Sequence, residues 1–202
     1  MARKTNSKTR RSQIVSALGE LMAEKGYDGA TVQLIAQKAG LTPGLLHYHF
    51  KSKLEILQAL VDSISETVTN RFKSRLEMNS SAQEKLKAFI DAHLALGEDA
   101  EPRSLACWIC IGAEALRQAE IRGAYQKISA IEIDCLENLI GDCLKAQKRS
   151  LKNQRALALG TFAAIEGSYR LLIAAPEQIE AGFAAATVLA MTLGAINSQP
   201  TA

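Results

Sequence analysis

Residues 31–60 read TVQLIAQKAGLTPGLLHYHFKSKLEILQAL, and the punctuation of this stretch decides the fold. Thr31 caps a short helix over 31–39, because its oxygen can accept from backbone N–H groups that a first helical turn leaves unpaired. Ile35 and Ala36 face inward from that helix, and Gly40 ends it. Thr42 and Pro43 open a second short helix, threonine as cap and proline at the first helical position. Ser52-Lys53-Leu54-Glu55 has capping-box spacing and starts a long helix to about residue 78. Two short helices joined through Gly-Leu-Thr form a helix-turn-helix over 31–50. The first braces the second, which is narrow enough to enter the major groove of DNA. Ala36 and Ala39 let the two approach closely, Leu41 is the expected buried plug between them, and Phe50 the anchor.

Helical periodicity continues outward in both directions. Upstream, Ile14, Val15, Leu18, Leu21 and Met22 make the apolar stripe of a helix over 7–25, which Gly26 stops. Downstream, Ser81 and Glu84 repeat the capping box and open a helix to about residue 96. A loop over 97–102 follows, then an apolar helix over 106–116, a break near Gly123, and a helix to about 145. A basic connection leads to two apolar helices, 154–174 and 177–196, separated at Pro176. The tail 197–202 reads as disordered. Strand signals are nearly absent, so the expected fold is all-α: a small N-terminal DNA-binding module, 1–53, joined to a larger helical body, 54–202.

Charge divides along the same line. The chain of 202 residues has a net charge of +3, but residues 1–53 hold nine Lys/Arg against three acids, and the remainder is mildly acidic. A basic module on an acidic body points to a polyanion as partner of the first part alone; a merely solvated basic tail fits the charge equally well. The opening MARKTNSKTRR is unlike a secretory leader, and no run approaches eighteen apolar residues. No membrane partner and a cytoplasmic location are therefore expected.

The stretch 31–60 closely resembles the TetR family of ligand-responsive repressors. The likeness lies in the Ala39-Gly40 turn, Gly44, the Tyr48-His49-Phe50 ending, and Lys51-Ser52-Lys53 entering the long helix. A looser likeness, from Trp108 through GAEALRQAEIRGAYQK (112–127) to AAIEGSYRLLIAA (163–175), is similar to the C-terminal domain of the betaine-regulator branch. The resemblance implies that Thr42, Pro43, Gly44, Leu45 and His47 face base edges. Pro43 and Leu45 could meet thymine methyls, and His47 could bond a purine acceptor. Thr31, Tyr48, His49 and Lys53 would clamp phosphates without reading sequence; packing beneath the recognition helix is the other reading of Tyr48 and His49. The family usually carries a tyrosine where this chain has His47, and a larger residue at Leu46. Arg3, Lys4, Lys8, Arg10 and Arg11 form either an arm to flanking DNA or a solvated tail.

A single recognition helix reads little sequence, so a dimer on a palindromic double-stranded operator is expected. The last two helices suit that contact. Gly160, Ala163, Ala164 and Gly167 recur at helical spacing in one, and Gly182, Ala185, Ala186, Leu189 and Leu193 in the other. An intramolecular core is the alternative. Phe89, Trp108, Tyr125, Phe162 and Tyr169 lie on body helices and could surround a small-molecule effector. Glu166 could bind a cation beside Trp108 or Tyr169, or pair with Arg170. His93 is a lone helical histidine, read as surface or satisfied core.

Cys107 and Cys110 have C-x-x-C spacing but sit mid-helix in an apolar run, and Cys135 and Cys143 lie too far apart along one helix to bridge. A redox- or metal-responsive regulator using Cys107 and Cys110 is the alternative to a ligand-gated repressor, and a helical adaptor without operator binding is a third reading. No catalytic constellation and no cofactor motif occurs, so an enzyme is not expected.

Overall fold

The computed structural model describes the backbone of residues 2–94, 102–180 and 182–202, and the side chains among them except those of 2–6 and 102–103. The expected loop over 97–102 and the arm residues Arg3 and Lys4 thus lie outside the residues or side chains described. The helices are α1 (Ala2–Gly29), α2 (Val32–Lys38), α3 (Pro43–His49), α4 (Lys53–Ser74), α5 (Ala82–Leu94), α6 (Pro102–Ala115), α7 (Ala119–Ala146), α8 (Gln154–Ala174) and α9 (Phe183–Asn197). Among the described residues the only extended pairing is an isolated antiparallel bridge between Arg149 and Thr201. The all-α expectation is met.

The chain forms two compact units, residues 1–65 with 101–128, and residues 66–100 with 129–202. This grouping differs from a single cut at 53/54, because α6 packs on α1 and joins the N-terminal unit. In that first unit Ile14, Leu18 and Met22 of α1 are buried with Ile35 of α2, Leu46 of α3, Ile56 and Leu57 of α4, and Ile111 of α6. In the second, Leu86 and Ile90 of α5, Leu136 and Ile140 of α7, Ile165 of α8, and Val188 and Ile196 of α9 make the core. Helices α4 and α7 each run through both units.

Several boundaries move from their expected places. Helix α1 starts at Ala2, since nothing before Gln13 is glycine or proline, and Gly26 interrupts it at φ 71°. The arm is therefore helical. The break expected at Gly123 falls instead at 116–118, and Gly123 lies inside α7. There Arg122 donates to the carbonyls of Ala115 (2.8 Å) and Leu116 (3.1 Å), tying the start of α7 to the unpaired end of α6. Pro176–Gln178 form a 3-10 turn, and Ile179 is extended, so α9 begins only at Phe183.

The tail expected to be disordered is held. Ser150 N–H donates to Pro200 O (2.8 Å), Ala202 N–H to Lys148 O (2.9 Å), and Arg149 to Gln199 O (2.8 Å). The reason is long-range: the basic connection after α7 offers backbone and side-chain partners that the tail sequence gives no sign of. Helix α8 is long and apolar enough to cross a membrane by length and composition, though no uninterrupted apolar run reaches that length; 28% of its most apolar window is buried within the chain. The rest of that window is exposed or half-buried.

Candidate nucleic-acid interface

Helix α3 is built to present one face. Thr42 sits in extended backbone (φ −81°, ψ 152°), its hydroxyl accepting from Leu45 N at 3.3 Å, and Pro43 takes the first turn. Thr31 caps α2 in the same way, accepting from Leu34 N at 3.3 Å. Each capping oxygen spends a lone pair; the hydroxyl hydrogen stays available to donate to a phosphate. Between the helices, Gly40 N–H donates to Gln37 O (3.1 Å) and Leu41 N–H to Ala36 O (2.9 Å). This is the paired bonding of a Schellman turn, and Gly40 takes its left-handed position at φ 67°.

The inward side of α3 rests on Leu46 and Phe50, each 1% exposed. The buried plug is thus Leu46 and not Leu41, which is only half-buried; a leucine in the turn precedes the helix axis, whereas Leu46 and Phe50 stand one turn apart on its inner face. Outward lie Thr42, Pro43, Gly44, His47 and Tyr48, with Leu45 partly turned out. Tyr48 is 78% exposed, so it does not pack beneath the helix. His49 is half-buried and meets the Tyr48 ring edge-on at 5.2 Å.

The basic residues divide into braces and exposed cations. Arg11 lies over the Phe50 ring (3.9 Å to the centroid), donates to His49 O, and stands 3.7 Å from Glu55. It fastens α1 to the end of α3 and the start of α4 and is not part of a free arm. Lys38 bridges Glu20 (3.2 Å) and Glu24 (3.0 Å). Lys53 donates to Tyr27 O at 2.7 Å, with its ammonium over the Tyr27 ring. Burial pushes its pKa down, against the pull of Asp28 and Glu114. Lys8, Lys25 and Lys51 remain exposed. Sequence reasoning missed the bracing roles of Arg11 and Lys53, whose partners lie 38 and 26 residues away.

The expected effector residues fall into two groups. Trp108 and Tyr125 stack at 5.0 Å in the first unit. Phe89, Phe162, Glu166 and Tyr169 belong to the second unit. There Phe89 meets Phe72 edge-on at 5.6 Å and lies 4.7 Å from the His93 ring. His93 is buried, and its Nδ1 lies 2.5 Å from Tyr169 Oη. This contact spans 76 residues and left no local signal in the sequence.

The four cysteines are free, and Cys107 and Cys143 are buried. Burial first, then the neighbouring Cys110, pushes the Cys107 thiol up to about 12; Cys135 and Cys143 are pushed up to about 11. Such thiols stay protonated and unreactive near neutral pH. Among the described residues no group of three or more His, Cys, Asp or Glu is placed to hold a metal. The thiol- or metal-responsive alternative gains no support.

The sequence profile described as bacterial regulatory proteins, tetR family, matches residues 14–60. The uncharacterized HTH-type transcriptional regulator TtgW of Pseudomonas putida is 37% identical over 94 residues, covering 46% of this chain and 70% of that protein. The HTH-type transcriptional regulator BetI of Rhizobium meliloti is 28% identical over 177 residues, covering 87% of this chain and 84% of BetI. A TetR-family regulator from Rhodococcus sp. superposes with a TM-score of 0.78 at 22% identity, over 94% of this chain and 98% of that one. At that identity the last likeness speaks for the fold alone.

Proposed function

Because the chain belongs to the TetR family of bacterial regulatory proteins, we propose that this transcriptional regulator is a repressor that binds a palindromic operator as a homodimer and leaves it when a small-molecule effector binds the helical body. The observation that carries the reading is the two-sidedness of α3. Leu46 and Phe50 seat it, while Thr42, Pro43, Gly44, Leu45, His47 and Tyr48 face out with a small, open surface at Gly44. Pro43, Leu45 and His47 read base edges; Thr31, Tyr48 and His49 bond the phosphates, as does Lys53 when its ammonium turns from Tyr27.

Dimerisation is assigned to α8 and α9. Gly160, Ala163 and Gly167 line an exposed stripe of α8, and no atom lies within 4 Å of where a Cβ on Gly160 or Gly167 would stand. Leu159, Leu171, Phe183 and Met191 are also exposed. On α9 the outward small residues are Ala186, Ala190 and Gly194; Ala185 is turned into the core of its own chain. Two such surfaces related by a two-fold axis would bury what each leaves open.

Release follows from geometry. Two recognition helices must meet successive major grooves about 34 Å apart, so a small pivot of α4 would spoil their simultaneous fit. The effector must bind the DNA-incompetent state more tightly than the competent one. Footprinting the DNA flanking the chain's own gene at physiological salt tests the reading. A protected palindrome is expected, and the absence of any protected palindromic site would sink it.

A further inference from the structure

His93, Ser129, Glu132 and Tyr169 are polar side chains buried in the apolar packing of the second unit, each at most 9% exposed. Ser129 and Glu132 are three apart on α7, so they share a helix face. His93 comes from α5 and Tyr169 from α8. The imidazole is fixed at one end by the 2.5 Å contact of Nδ1 with Tyr169 Oη. At the other end Nε2 lies 3.4 Å from Glu132 Oε2 without the alignment of a hydrogen bond, and it has no hydrogen-bond partner. Ser129 Oγ has none either.

Two buried polar atoms without partners, beside a buried carboxylate, are an unusual concentration, since such groups are nearly always bonded. The Nδ1–Tyr169 contact admits either direction; with Nδ1–H donating to the Tyr169 oxygen, Nε2 presents a lone pair. Nε2, Ser129 Oγ and Glu132 Oε2 are then three acceptors. A trapped water could bond all three, but it would bring no positive charge to a buried carboxylate. An imidazolium at His93 would carry the charge, yet its Nε2–H is not directed at Oε2. The surroundings are anionic as well: after burial, Glu166 and Glu132 hold the Tyr169 hydroxyl well above its ordinary pKa, and Arg71 opposes them. The Phe89 ring against His93, with Phe72 beyond it, supplies an apolar wall.

We propose that this cluster is the polar end of a binding site for a small alkylammonium ion, whose N–H groups bond Glu132, Ser129 Oγ and His93 Nε2 while its carbon chain lies on Phe89. A primary ammonium has three donors and one positive charge, matching three acceptors and one carboxylate. The inference rests on the effector-released reading above and names the chemistry of the effector.

The test uses the full chain, with thermal unfolding and calorimetry in n-butylammonium, in n-butanol, and in tetramethylammonium. Only n-butylammonium is expected to raise the unfolding midpoint, saturably and by several degrees. No shift with it, an equal shift with the uncharged alcohol, or an equal shift with the donor-free quaternary ion would each overturn the proposal. Glu132→Gln should weaken n-butylammonium binding by at least about tenfold; if that variant does not fold, Ser129→Ala and the three-probe comparison on the parent chain decide. Operator release is measured separately. Binding of n-butylammonium without release keeps the site and removes its effector role. Release by some other compound, with no n-butylammonium binding, removes the site and keeps the regulator reading.

Discussion

His47 stands on the outward face of α3, where Pro43 and Gly44 leave room around it, and no other described group claims its ring in the way Tyr169 claims His93. His47→Ala should therefore narrow the difference in affinity between operator and scrambled DNA by about 1–3 kcal/mol per half-site, with the unfolding midpoint unchanged. Competition binding at fixed salt checks this; an unaltered ratio would remove His47 from the reading surface. Cys107 shows the opposite behaviour, a residue whose environment suppresses its chemistry. Its folded pKa is raised from 9.0 to about 12. The stability linked to the protonated thiol is intact below pH 9 and is lost as pH rises toward 12. Urea midpoints should fall across that window in the parent chain and fall less in Cys107→Ala.

At the scale of the element, the helix-turn-helix was legible because its signals are local. A threonine cap, a proline in the first turn and a left-handed glycine each act within four residues, and α2 and α3 begin where those residues place them. Gly40 tests that logic. A Cβ added there meets nothing within 4 Å, so Gly40→Ala carries only the backbone cost of φ 67°. The expected loss is about 1–2 kcal/mol, read as a lower unfolding midpoint; an unchanged midpoint would mean that the turn tolerates another conformation. Elements whose limits depend on distant partners were read less well. Intrinsic propensity makes Gly123 a break, a handicap of about 1 kcal/mol, which a long, tertiary-packed α7 outweighs. Leu41 and Leu46 are both leucines in one short stretch, and only the direction of α3 shows which is buried.

For the whole molecule, two features carry measurable consequences. Deleting residues 199–202 removes three backbone-directed bonds between the tail and the connection after α7, and with them the Asn153–Gln199 side-chain bond (2.8 Å). Since these bonds are largely exposed, a loss of about 1–2 kcal/mol is expected, with faster amide exchange at Ser150. Unaltered exchange there would show that the tail does not hold the connection. The outward faces of α8 and α9 bear on assembly. Met191 is 60% exposed, and Met191→Glu should convert a dimer into monomers in sedimentation at micromolar concentration. A persistent dimer would place the interface elsewhere.

The sequence alone determined the all-α class, the helix-turn-helix and the order of its caps, because those are set by residues within one or two turns of each other. Tertiary structure alone decided which cations are braces, which leucine is the plug, that the tail is tied down, and that His93 meets Tyr169 and Glu132. Those outcomes depend on contacts between residues 14 to 76 positions apart. Burial and the cost of an unpaired polar atom are properties of the packed chain, and no periodicity along the sequence encodes them.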